Sequence, residues 1–116
     1  MLVVDAANVV GSVPDGWWRD RAGAARRLVT RLEQAVVDGR LSDVVVVVLE
    51  GAARAGVPEG TGGAVRVVHA PGSGDDTLAG LAGSRVTVVT ADRGLAERVR
   101  AAGGDVVGPR WLLAQL

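Results

Sequence analysis

The chain has no cysteine, lysine, phenylalanine or tyrosine, and a single histidine. Without cysteine there is no disulfide framework, no thiolate nucleophile and no thiolate metal site, and His69 alone cannot build a histidine-rich zinc centre. The missing lysine excludes a response-regulator receiver, which needs one, and makes every basic residue an arginine; it is read as a mark of a GC-rich genome. The aromatic inventory is three tryptophans, Trp17, Trp18 and Trp111, so the core must be assembled from valine, leucine and alanine. Any stacking of bases would have to use those indoles. Charge of one sign is missing too: thirteen basic residues balance thirteen acidic ones. A neutral chain is a poor candidate for charge-driven polyanion binding by its whole surface, which leaves only a local arginine face. No apolar run exceeds Val44 to Leu49, far short of a bilayer span, and MLVVDAAN is not a secretory leader, so a cytoplasmic protein without membrane association is expected. Neither a Walker loop nor GxGxxG occurs, which argues against a nucleotide cofactor even though GSGDD is similar to the glycine-rich anion hole of sugar kinases.

What the chain does contain is a series of valine-rich runs: Leu2 to Val4, Val44 to Leu49, Val65 to Val68, Val86 to Val89, and Val106 with Val107. Continuous β-branched runs suit strands buried on both faces of a parallel sheet. Helical spacing fills the intervals. Ala24, Ala25, Leu28, Val29, Leu32, Ala35 and Val36 predict a helix over 20–37 with a stop at Asp38 and Gly39. Shorter helices are expected over 75–83, over 94–102, and from Arg110 to Leu116 behind Pro109. The order β-α-β-β-α-β-α-β-α, with right-handed crossovers, implies an α/β fold, a three-layer α/β/α sandwich on a mainly parallel five-stranded sheet. Residues 51–63 read as a flexible connection, and 1–116 as a single domain.

Acidic and amide residues stand just after these runs: Asp5 with Asn8, Glu50, Asp75 with Asp76, and Asp92. In a parallel sheet the carboxyl ends of the strands share one edge, so acids remote in sequence can converge there. Each has a local alternative. Asp5 and Asn8 suit an Asx-type turn, Asp75 and Asp76 suit the first turn of a helix capped by Ser73, Asp92 can cap the next helix, and Glu50 can simply be solvated. Like charges about 6 Å apart at an effective dielectric near 20 repel by roughly 3 kcal/mol. Gathered acids therefore call for a counterion, and Mg²⁺ or Mn²⁺ suits an all-oxygen set that must also hold phosphate oxygens. Such a centre activates water for in-line displacement at phosphorus without a histidine or serine nucleophile.

VVDAANVVG, the strand closing in VLEG, GDDTLAG and VTVVTADRGLAERVRAAGGDVVG together resemble, in order and spacing, the PIN-like NYN domains, particularly the YacP-like branch of metal-dependent ribonucleases. The resemblance covers nearly the whole chain, and TADRGL is its most specific part. It implies a sheet in the order 3-2-1-4-5 and Mg²⁺ or Mn²⁺ held by Asp5, one or both of Asp75 and Asp76, and Asp92. Asn8 matches the first-motif asparagine, which orients metal-bound water or phosphate, Thr90 a hydroxyl position near the last acid, and Arg93 a contact to the substrate phosphate. Glu50 stands where an aspartate is more usual and is an additional candidate ligand.

Arg26, Arg27 and Arg31, behind Arg19 and Arg21, form either a solvated helix face or an RNA-contacting stripe. Trp17 and Trp18 either pack their loop down or stack an unpaired base; Trp111 is expected to dock the last helix. His69, at a strand end, is either exposed or a proton shuttle. Two functions follow. One is an endoribonuclease acting on RNA phosphodiesters, with Asp5, Asn8, Asp75, Asp76 and Asp92 catalytic and Asn8, Thr90 and Arg93 meeting substrate. The other is a catalytically inactive PIN-like module that binds RNA or another protein. A homodimer is compatible with either.

Overall fold

The computed structural model describes residues 1–61 and 63–116. Its strands are β1 (Leu2–Asp5), β2 (Val45–Leu49), β3 (Val65–His69), β4 (Thr87–Val89) and β5 (Asp105–Val107). The helices are α1 (Ala6–Gly11), α2 (Arg21–Val37), α3 (Gly74–Leu81), α4 (Arg93–Ala101) and α5 (Pro109–Leu113). All strand pairs are parallel, in the order β3-β2-β1-β4-β5.

Side-chain alternation explains why the valine runs are continuous. Val4, Val45, Val47, Val65, Val67 and Val89 face one layer, packed with Leu28, Leu32 and Ala35 of α2, Val9 of α1 and Leu112 of α5. Val3, Val46, Val48 and Val88 face the other, against Leu78 of α3 and Leu95 and Val99 of α4. Both sheet faces are covered, so each residue of β2 is buried and polar residues have no place there. This is the expected three-layer sandwich, and its strand order is the one the family resemblance implied.

Three local differences stand out. The chain turns from β1 straight into α1, a six-residue helix that the sequence pattern hides because so short a stretch shows no helical repeat. Residues Gly51–Gly56, expected to be flexible, form a 3-10 helix instead. It lies so close to α2 that a Cβ on Gly56 would stand 2.1 Å from the Ala22 carbonyl oxygen. Gly62 of the expected connection lies outside the described residues. The last helix ends at Leu113 rather than Leu116, and α3 ends at Leu81 rather than Gly83, because Ala82 already takes an extended backbone conformation. Among the described residues no helix is long and apolar enough to cross a membrane.

Candidate active site at the strand carboxyl ends

The sheet order reverses at β1: β2 and β3 lie on one side of it, β4 and β5 on the other. Crevices at such switch points, outside the carboxyl ends of the strands, are where open α/β sheets bind ligands. Pairing of Val4 with Val89 makes Asp5 and Thr90, the residues that follow them, neighbours across that crevice.

Asp5 ends β1 and caps α1, accepting the Asn8 backbone N–H on Oδ1 at 3.3 Å. Its Oδ2 accepts from Asn8 Nδ2 at 2.8 Å and from the Thr90 hydroxyl at 2.9 Å. The Thr90 oxygen also accepts the Asp92 N–H at 3.1 Å, while Asn8 Oδ1 accepts the Ala91 N–H at 3.1 Å. The β1–α1 and β4–α4 turns are thus stitched together by side chains. Asp5 and Thr90 are 4% and 3% exposed and are the buried polar residues of the described chain. A buried carboxylate with three donors is held in one orientation, because any rotation would strand a lone pair away from water.

Asp92 does cap α4, accepting the Leu95 N–H on Oδ1 at 2.8 Å. Capping uses one oxygen only; the other takes no hydrogen bond from the described residues. Glu50, which follows β2, is more than a solvated loop acid: its Oε2 accepts the N–H of Gly74, the first residue of α3, at 2.5 Å. Ser73 caps the same helix through the Asp75 N–H at 3.3 Å. Helix α3 is thereby anchored beside the crevice, and the adjacent acids in its first turn part company. Asp75 is half-buried toward Asp92 and Glu50, whereas Asp76, its side chain 88% exposed, pairs with Arg98 of α4 at 3.1 Å.

The electrostatics record this gathering. Burial pushes the Asp5 carboxyl above its usual range; the hydrogen bonds from Thr90 and Asn8 oppose that, and the negative charge of Glu50 adds to it. Asp75 is also raised, first by partial burial and then by the charges of Asp92 and Glu50, with Arg98 opposing. Two carboxyls raised first by burial and further by neighbouring carboxylates are suited to a cation of the hard, oxygen-seeking kind. Among the described residues, however, no three acids already stand close enough together to hold a metal ion. The set is preassembled around Asp5, Thr90 and Asp92 and open on the Glu50 and Asp75 side.

Arg93 opens α4 and lines a groove of about 490 Å³ with Thr90, Asp92, Glu97 and Arg100. Arg100 could have been found in the sequence, since it lies seven residues beyond Arg93 and so on the same helical face. The Glu50 contact to Gly74 could not, because it joins residues far apart in the chain. His69 is tied down by Val57 O, 2.8 Å from Nε2, and its N–H donates to Glu59 at 2.8 Å, which removes it from the acidic crevice.

No family model matches the sequence, and no curated protein matches it. Among solved structures, the crystal structure of Rae1 (YacP) from Bacillus subtilis, a W164L mutant, superposes with a TM-score of 0.68 at 20% identity, covering 98% of this chain and 72% of that one. The chain has a YacP-like fold. At that identity the likeness concerns architecture, and it meets the branch whose motifs the sequence resembles.

Proposed function

We propose that the protein is a metal-dependent endoribonuclease whose centre lies at the carboxyl ends of β1, β2 and β4. The observation that carries this reading is the network joining Asp5, Asn8, Thr90 and Asp92 across the switch point, with Glu50 and Asp75 in its electrostatic field. Mg²⁺ or Mn²⁺ fits the all-oxygen donor set; Asp5, Asp75 and Asp92 would hold it, Glu50 would join them, and Asp76 would do so only on leaving Arg98. Bound there, the cation would supply charge neutralisation and a more acidic water.

The side chains divide the remaining work. Thr90 and Asn8 fix the Asp5 carboxylate, so its orientation costs nothing when substrate arrives. The Asp92 oxygen not used in capping and the Asp75 carboxyl would orient the attacking water. One of these carboxylates would take the proton that the attacking water loses. Arg93, in the groove beyond Asp92, meets a phosphate next to the one cleaved.

The test joins calorimetric Mn²⁺ titration with cleavage of labelled single-stranded RNA, for the wild type, Asp5→Asn and Asp75→Asn. Saturable Mn²⁺ binding and cleavage that both fall in the variants, with the fold retained, are expected. Undiminished cleavage by both purified variants would overturn the assignment. The second reading, an inactive RNA-binding or protein-interaction module, is favoured by the absence of a ready-made group of three acids among the described residues. It predicts no turnover with either metal.

A further inference from the structure

The aromatic residues are distributed in a way that the core does not explain. Of the three tryptophans in the chain, two stand together at positions 17 and 18, outside the hydrophobic clusters. Gly16, at φ 81°, takes the left-handed turn that starts the 3-10 helix Trp17–Arg19. The two indoles meet edge to face, their centroids 6.0 Å apart and their planes at 89°. Trp17 is the anchor. A Cβ on Gly11 would stand 3.7 Å from its Cζ2, and with Ala6, Ala7, Val10 and Glu50 it lines a small cavity of about 40 Å³ beside α1. Trp18 is set on that anchor and is 54% exposed.

Each indole carries a guanidinium. Arg21 lies 5.3 Å from the Trp17 ring centroid and Arg19 lies 5.8 Å from that of Trp18. Asp20, the acid between these arginines, is turned away to cap α2 through the Gly23 N–H at 2.9 Å. Asp15 lies apart, in a depression it shares with Arg27 and Arg31. The result is a half-exposed indole with a guanidinium over its ring, joined through Trp17 to Glu50 and to the helix that Asp5 begins. Every base presents a π face and every nucleotide an anion, so this pairing is selective for unstacked, single-stranded nucleic acid rather than for a base sequence.

We propose that Trp18 and Arg19, held by Trp17 and Arg21, form a platform on which an unpaired base of single-stranded RNA stacks while a guanidinium meets its phosphate. The platform deepens the ribonuclease reading and rests on it only for the choice of RNA. It sits on the Glu50 side of the crevice, opposite the Arg93 groove, so an RNA strand touching both would cross the acids.

Binding without cleavage tests it. Fluorescence anisotropy of a short labelled oligoadenylate is measured in EDTA with the wild type, Trp18→Ala, Trp18→Phe and Trp111→Ala. Saturable binding is expected to weaken roughly fivefold or more in Trp18→Ala, the equivalent of about 1 kcal/mol. Trp18→Phe, which keeps an aromatic face, should retain most of the affinity, and Trp111→Ala all of it. Wild-type affinity in Trp18→Ala would overturn the platform, as would equal loss in Trp111→Ala. Failure of the wild type to bind would do the same and would leave the surface to a protein partner. Cleavage, assayed separately with Mn²⁺, keeps the two ideas distinguishable: Trp18-dependent binding without turnover sinks only the nuclease, and turnover with unchanged Trp18→Ala binding sinks only the platform.

Discussion

Replacing Asp75 by asparagine should stabilise the metal-free protein, contrary to the usual effect of mutating a helix's first turn. Asp75 accepts no side-chain hydrogen bond from the described residues, and its carboxyl is raised by burial and by the charges of Asp92 and Glu50. A like-charge pair about 7 Å apart repels by about 0.6 to 2.4 kcal/mol for effective dielectrics between 80 and 20. Two such neighbours outweigh the favourable helix-dipole interaction of a first-turn acid, about 0.3 to 1 kcal/mol, together with the attraction of an exposed Arg98. The net gain is on the order of 1 kcal/mol, or roughly 3 to 6 °C in Tm for a chain of this size.

Thermal melts in EDTA at neutral pH measure the gain, and the same melts with Mn²⁺ should show a smaller metal-dependent rise for Asp75→Asn than for the wild type. The pH dependence has a definite sign. A folded-state pKa above the ordinary value of 3.8 means that the native protein binds more protons than the unfolded chain between those two values. Wild-type stability from this group therefore falls as pH rises through that window, and the advantage of Asp75→Asn shrinks as pH is lowered through it. A lower Tm for Asp75→Asn in EDTA, or an advantage that grows on acidification, would refute the argument that these acids repel across a shared crevice.

Thr90→Val keeps shape but removes the hydroxyl between Asp5 and Asp92, leaving the Asp92 N–H unpaired and Asp5 short of a donor. Urea unfolding should show a loss of about 1 to 3 kcal/mol, with Thr90→Ser recovering most of it. Asn8→Asp sets a second carboxylate against Asp5 Oδ2 and should cost a similar 1 to 3 kcal/mol, roughly, in EDTA, with a larger Mn²⁺-induced rise in Tm than the wild type shows. Gly56→Ala forces a methyl into the Ala22 carbonyl and should destabilise by about 1 to 3 kcal/mol in the same assay, whereas Gly72→Ala, with open space around its Cβ, should not.

The sheet could be read from the sequence because burial on both faces leaves no room for polar residues. Val45 to Leu49 is apolar at each position for that reason, and α2 is legible because its buried residues repeat along one stripe. The 3-10 helix over Gly51–Gly56 was not legible. GAARAG carries the composition of a mobile loop, and what orders it is the close approach of Gly56 to α2, together with Arg26 donating to the Gly56 carbonyl and Arg54 to those of Gly51 and Ala70. Helix α1 was hidden for another reason: its six residues make fewer than two turns, too few to show a helical repeat.

At the crevice, residue types were readable and their connections were not. Capping and site-building appeared in the sequence as alternatives for Asp92, yet the structure has room for both, because a carboxylate has two oxygens and the cap takes one. The same chemistry separates Asp75 from Asp76. Helical geometry turns adjacent residues about 100° apart, so once the Glu50 contact to Gly74 has fixed how α3 sits, one acid faces the crevice and the other faces Arg98. Glu50 thus has a positional effect that its own chemistry does not advertise. By holding the start of α3 it determines which carboxylate enters the field of Asp92, and an aspartate at position 50, one methylene shorter, would have to draw α3 inward to keep that contact.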